Sequence, residues 1–309
     1  MQMWRKSAWL PVALAVGLSA CSGGGAPQVA KVVLTAPSDL NVKIDAPVAF
    51  GAAAQDSGGQ PVAGQVITWA STDPAVATVE QTGEVTARHL GTFKVTATAS
   101  NVTATSDTYT TYGLDVSAGT IVFAGNPQAE SFFVFSLRDA VGTFPTTAQV
   151  VSVTGPGTWN GSAPLTVNAP SLDKYAGGFN IPAASGVYTA RATVDGVDYS
   201  NTFSVDPGIT LPPPTGLASS GLTSSQVTVS WTAVSGANHY DVLLFPQAGG
   251  ALIKAVSTAS TSATLSGLSL ASGTSYTAYV RAVSAGLDFP LPLPDRTTAS
   301  RADLTIVGP

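Results

Sequence analysis

Residues able to do chemistry are few in this chain, and they are far apart. It has a single cysteine, Cys21, and two histidines, His89 and His239. One thiol cannot form an intrachain disulfide. A zinc site needs several convergent ligands, and a His-based triad needs partners for its imidazole. Neither histidine has them nearby in sequence: His89 stands before Leu90-Gly91, where a turn is expected, and His239 before Tyr240. Both are expected to be exposed structural residues. Asp195 and Asp198 flank an Asp-Gly turn. Calcium takes six or more oxygens, and turn chemistry accounts for these two carboxylates without an ion. The sequence shows no Gly-rich phosphate loop with its lysine, no His-Glu-x-x-His helix and no strand-turn-helix nucleophile elbow. The expectation is a protein that is not an enzyme, with no catalytic residue, no metal site and no cofactor.

Among the aromatics, Trp69 and Trp231 sit in alternating segments and read as core anchors. Trp159 lies in Gly155-Pro-Gly-Thr-Trp-Asn-Gly161, a turn-rich stretch with no obvious strand beneath the ring. Two readings stay open for it. It tucks over the edge of its domain's core, or it is an exposed aromatic on a rigid loop, of the kind that stacks on sugars or anchors a partner. On the second reading Trp159 is a ligand-binding residue.

Charge and composition narrow the partners. Only 10% of the 309 residues are charged, against roughly 25% in an average soluble protein. The formal net charge is −5. Loss of the first twenty residues, which carry only Arg5 and Lys6, makes it −5 − 2 = −7. No basic patch is present to neutralise phosphates, so nucleic acid is not an expected partner. Gly (31), Pro (21) and many Val, Thr and Ser residues favour short strands and turns.

The N-terminus reads as an address. Arg5 and Lys6 precede an apolar stretch from Ala8 to Gly17, then Leu18-Ser19-Ala20-Cys21. A basic start, a short apolar core and small residues make a secretory signal. The apolar run is shorter than the roughly 20 residues of a spanning helix. Leu18-Ser19-Ala20-Cys21 resembles the lipobox of bacterial lipoproteins. That resemblance implies cleavage before Cys21, a thioether-linked diacylglycerol on its sulfur, and usually a third acyl chain on the new amine. Two or three acyl chains anchor a protein stably. The family's inner-membrane retention signal is an Asp after the cysteine, and Ser22 stands there instead, which favours the outer membrane. Residues 22–30, Ser-Gly-Gly-Gly-Ala-Pro-Gln-Val-Ala, form a short flexible tether.

Three modules follow. Over 31–108, Ile67 and Trp69 point one way and Thr68 the other; Phe93, Val95, Ala97 and Ala99 alternate with Thr92, Lys94, Thr96 and Thr98. Period two marks strands with one buried face. The marks Trp69-Ala-Ser, Asp73-Pro-Ala-Val-Ala-Thr-Val79, Thr82-Gly83 and Gly91-Thr-x-x-Val resemble the group-2 bacterial Ig-like family. Over 109–207 the reading is again β. Phe132-Phe133-Val134-Phe135 suits a buried strand, and Tyr188–Val194, Asp195-Gly196 and Val197–Val205 read as a hairpin. An Ig-like sandwich of unclear family is the expectation there. Leu211-Pro-Pro-Pro-Thr-Gly216 is a stiff connector. The segment 208–309 then resembles a fibronectin type III domain, through Val227, Val229 and Trp231, then Tyr240, Val242 and Leu244. Its Leu270-Ala-Ser-Gly-Thr-Ser-Tyr276 corner carries Ser272 where that family has proline. The resemblance implies that the Tyr276 hydroxyl bonds back to nearby backbone. Asp288-Phe-Pro-Leu-Pro-Leu-Pro294 interrupts the approach to the last strand.

The fold class expected is all-β: tandem immunoglobulin-like β-sandwich domains after a lipoprotein signal peptide (1–20) and a lipidated tether (21–30). The function expected is that of a lipid-anchored cell-envelope protein, at the outer membrane or cell surface, with adhesion, scaffold or spacer modules. Its partners would be the membrane, through lipid on Cys21, and a protein or cell-wall glycan. The alternative is a carbohydrate- or ligand-binding accessory lipoprotein with its site in the middle domain.

Overall fold

The structure is a computed structural model in which residues 27–173, 175–285, 293–294 and 296–309 are described. Cys21, the signal segment and the early tether lie outside the described residues. Among the described residues the regular secondary structure is strand, apart from one 3-10 turn at Trp159–Ser162.

In the first domain the period-two pattern becomes small antiparallel sheets. Thr68–Ser71 pairs with Val95–Ala99, which pairs with Val102–Thr105; Val48–Ala49, Glu84–Ala87 and Ala77–Val79 form another. Val95, Ala97 and Ala99 are buried, with Trp69 and Phe93, while Thr68 and Lys94 are exposed. The inward residues fall where alternation places them. Gly83 has φ 86°, and a Cβ there would overlap the Phe50 carbonyl and reach 3.0 Å from the Trp69 ring. Only glycine fits that turn.

The middle domain is a sandwich. One layer is Tyr175–Pro182, Asn126–Arg138 and Tyr109–Phe123; the other is Leu165–Ala169, Gln149–Thr154, Gly186–Val194 and Val197–Val205. The expected hairpin is present, with Val194 paired to Val197 across Asp195 (φ 50°) and Gly196 (φ 78°). Both turn residues at positive φ is the geometry that matches strand twist. Phe133, Phe135, Tyr188 and Phe203 fill the core, Tyr188 stacked on Phe203 at 5.8 Å.

The third domain packs Ala218–Thr223, Gln226–Ser230 and Ser262–Ser266 against Lys254–Thr258, His239–Pro246, Ser275–Val283 and Ala299–Val307. Its corner is formed as the resemblance implies. The Ala271 N–H donates to the Tyr276 hydroxyl at 2.8 Å, with serine at position 272 in place of proline.

The modules are not separate beads. Tyr109 is buried in the first domain's core and its hydroxyl donates to the Pro37 carbonyl (2.8 Å), so the first domain's last strand runs past residue 108. That strand, Tyr109–Phe123, pairs with Asn41–Lys43 and Thr92–Phe93 at its start. It pairs with Asn126–Arg138 along its middle. At its end, Ile121–Phe123 pairs in parallel with Ala299–Arg301 of the third domain. One hydrogen-bonded sheet of nine strands thus draws on all three domains. Phe132 and Val134 pack with Ile121, Val283, Leu293 and Ala299 in a small core between the second and third domains, while Phe133 and Phe135 face the middle sandwich. The four-residue apolar run is buried on both sides because each side has a different domain to cover. Burying a Phe or Val side chain contributes about 1.5–3 kcal/mol. The proline-rich connector is also docked: Leu211 is buried in the third core, and the Ile209 and Pro212 carbonyls accept from Thr120 (2.6 Å) and Ser300 (2.7 Å).

Candidate functional site at the three-domain junction

Along Tyr109–Phe123 the side chains alternate between two buried environments. Leu114, Val116 and Ala118 enter the middle core. Asp115, Ser117 and Gly119 face the neighbouring domains, and Asp115 is fully buried. A buried carboxylate needs donors, since desolvating an uncompensated charge is very costly. Asp115 finds them in both flanking domains. Its Oδ1 is 2.7 Å from His89 Nδ1, its Oδ2 accepts from the Leu90 N–H at 2.9 Å, and the Leu293 backbone also donates to it. Burial pushes the Asp115 carboxyl above its ordinary range, and these donors oppose that shift.

Further bonds close the junction. Thr111 Oγ1 donates to the His89 carbonyl and accepts from the Gly91 N–H, each at 2.8 Å. Ser117 Oγ and Thr297 Oγ1 are 2.5 Å apart. Gly119 lies so close to the Thr297 carbonyl that any Cβ would overlap it. On the other flank, the Thr202 N–H donates to Asp45 Oδ2 (3.0 Å), and Lys43 Nζ donates to the Asp198 carbonyl (3.1 Å).

His239 is the second buried histidine. Its Nδ1 lies 2.7 Å from the Ala285 carbonyl, so that nitrogen carries the proton, and its Nε2 is 3.4 Å from Asp241 Oδ1. Arg281 binds Asp241 Oδ2 through Nη2 (2.7 Å) and Nε (3.0 Å), and Ser257 donates to Oδ1 (2.6 Å). The same guanidinium lies 5.7 Å from the Phe132 ring of the middle domain. Burial opposes charge on Asp241, but the bonds from His239, Arg281 and Ser257 outweigh it and hold the carboxyl well below its usual range. Burial likewise lowers His239, and the Asp241 and Ala285 bonds more than restore it, so its pKa is raised.

Two sequence expectations are corrected here. His89 (5% exposed) and His239 (0%) are not surface residues. The faces that bury them belong to other segments, which local periodicity cannot show. Of the two readings left open for Trp159, the structure agrees with the ring tucked over its domain's core, at 5% exposure. Its indole N–H donates to Ser131 (3.2 Å), Tyr188 meets it edge-on at 5.0 Å, and Phe133 does so at 6.3 Å. It is an anchor of the middle core, and its ring is not presented to a sugar. Asp195 and Asp198 serve the hairpin, Asp198 accepting from Thr193 at 2.7 Å. Among the described residues no cluster of three or more His, Cys, Asp or Glu could hold a metal. The residue that sequence reasoning missed is Asp115, and its one signal was a carboxylate inside an apolar strand.

Beside the junction opens a cleft of about 680 Å³ whose walls come from all three domains. Arg88 and Asp45 belong to the first, Thr202 and Ser204 to the second, and Arg296 to the third.

Comparison with known proteins agrees with this architecture at the level of modules. Residues 29–109 match the family described as bacterial Ig-like domain (group 2), and residues 212–291 match the fibronectin type III domain. A comparison with curated proteins finds no match. Among solved structures, the chain is similar to the fn3 domain of human collagen alpha-1(XX) chain, at 22% identity over 33% of this chain and 88% of that one (TM-score 0.26). It is similar to a two-domain fibronectin type III segment of chicken tenascin, at 17% identity over 63% and 99% (TM-score 0.26). The S-layer protein rSbsC(31-844) is similar at 17% identity over 82% of this chain and 38% of that one (TM-score 0.24). The chain is an all-β assembly that carries a group-2 bacterial Ig-like domain at 29–109 and a fibronectin type III domain at 212–291.

Proposed function

We propose that this is a non-enzymatic, lipid-anchored envelope protein that acts as a stiff scaffold or spacer at a bacterial surface. The observation that carries the reading is the strand Tyr109–Phe123, hydrogen-bonded to a strand of every domain. Domains joined by flexible linkers move independently by default. Here bending at either junction would break ladder bonds and expose the Phe132 and Asp115 contacts. An assembly built this way holds its three domains at a set distance and orientation from one another. The two matched families are non-catalytic module types, commonly used for adhesion or spacing. The lipobox-like Leu18-Ser19-Ala20-Cys21 supplies the anchor on this reading, with the outer membrane or cell surface as its location.

Two measurements test it together. Cys21→Ser should move the protein from the detergent phase to the aqueous phase, or leave it unprocessed; identical partitioning of mutant and wild type removes the anchor. Small-angle scattering of the chain should fit one rigid particle. A broad distribution of domain separations removes the spacer.

A further inference from the structure

We propose that the cleft between the three domains is a binding site for an anionic oligosaccharide, with Arg88 and Arg296 taking the acidic group. The chain without its signal is acidic, yet this cleft reverses the sign locally. Arg88 and Arg296 are both exposed and line one cavity, from the first and third domains. Neither takes part in any of the described ion pairs, although the Arg88 charge acts on the nearby Asp45 carboxyl, which leaves Arg296 as the cleft cation without an acidic partner among those pairs. The one acidic lining residue, Asp45, spends one oxygen on the Thr202 N–H. The buried Asp115 is compensated from within by His89, Leu90 and Leu293.

The remaining walls suit a sugar. Thr202 and Ser204 are exposed on the strand Val197–Val205. Their hydroxyls, with the second oxygen of Asp45, offer donors and an acceptor to ring hydroxyls. Guanidinium groups match carboxylate or sulfate geometry with paired N–H donors. Clefts at domain interfaces are favoured places for ligands. This site exists only while the domains keep their arrangement, so an occupant would also brace it. The inference does not depend on the lipid anchor.

The test is calorimetric titration of the full chain in detergent with trigalacturonate, neutral trigalactose and inorganic phosphate. Trigalacturonate should bind, weakening as salt rises. Arg88→Ala and Arg296→Ala should each weaken it roughly tenfold, as expected for one charge-assisted contact. Arg191→Ala, on an exposed strand position outside the cleft, should leave it unchanged; circular dichroism confirms that each variant folds. Trigalactose should not bind. No binding of trigalacturonate, or binding indifferent to both cleft arginines, overturns the proposal. So does phosphate binding as tightly as the trisaccharide, because the sugar hydroxyls would then contribute nothing.

Discussion

His89 Nδ1 and Asp115 Oδ1 are 2.7 Å apart across a domain boundary, and both side chains are buried. A contact between residues 26 positions apart joins a turn of the first domain to the strand Tyr109–Phe123 at the edge of the middle domain's sheet. The bond is one of several that Asp115 makes, which turns a single carboxylate into the meeting point of three domains.

Asp115→Ala removes the acceptor for two buried backbone N–H groups and an imidazole. Each buried group left unsatisfied costs about 1–3 kcal/mol. The loss should therefore be on the order of 3 kcal/mol or more, read by urea unfolding. The comparison is Asp303→Ala, which breaks the more exposed pair with Arg301 (3.0 Å) and should cost under about 1 kcal/mol. Equal effects from the two substitutions would show that the junction carries no special weight.

Gly119→Val tests the second junction. The added side chain overlaps the Thr297 carbonyl, and the neighbouring backbone cannot give way without parting the 121–123 and 299–301 strands. Each domain keeps its own core, so the expected result is uncoupling rather than general collapse. Scanning calorimetry should show the third domain melting apart from the first two. A single transition at the wild-type temperature would mean that the shared sheet is dispensable.

Much of this architecture was legible in the sequence, and the part that was not has one physical cause. Alternation at Phe93, Val95, Ala97 and Ala99 reports a face buried by the same domain, so it reads correctly from a local window. The Asp195-Gly196 turn and the Tyr276 corner are local chemistry too. Asp115, His89, Phe132 and Gly119 answer instead to segments far away in the chain. Thr297, for example, is 180 positions from Ser117, its hydrogen-bond partner. A run such as Phe132-Phe133-Val134-Phe135 announces burial on both faces but does not name what covers the second. Trp159 stays ambiguous in sequence for a related reason: its local segment is all turn, and the ring is satisfied by Ser131 and Tyr188 from other strands.

Trp159→Ala should therefore act on stability. Removing a buried indole and its bond to Ser131 costs about 3–5 kcal/mol for a large-to-small core change. Thermal unfolding of the middle domain should fall accordingly. Where the variant still folds at low temperature, trigalacturonate affinity should match wild type. Loss of affinity without loss of stability would return Trp159 to the ligand.

The third domain should be more stable at mildly acidic than at alkaline pH, and His239 is the reason. Asp241 has a folded-state pKa below its ordinary 3.8, so its contribution is present above that value and is lost only as pH falls beneath it. His239 has a folded-state pKa above 6.5. Its contribution is complete below about 6.5 and disappears as pH rises through the folded value. Between those limits the imidazolium, the Asp241 carboxylate and the Arg281 guanidinium coexist, with the Arg281 charge opposing His239 and the Asp241 bond outweighing it. Raising the pH from 6 to 8.5 leaves a neutral imidazole beside Asp241 and weakens that bond. His239→Gln keeps a polar group but cannot titrate. The melting temperature of the wild-type chain should drop over this range by more than that of the variant, and the difference between the two curves should follow a single proton. Parallel curves would place the alkaline loss elsewhere in the fold.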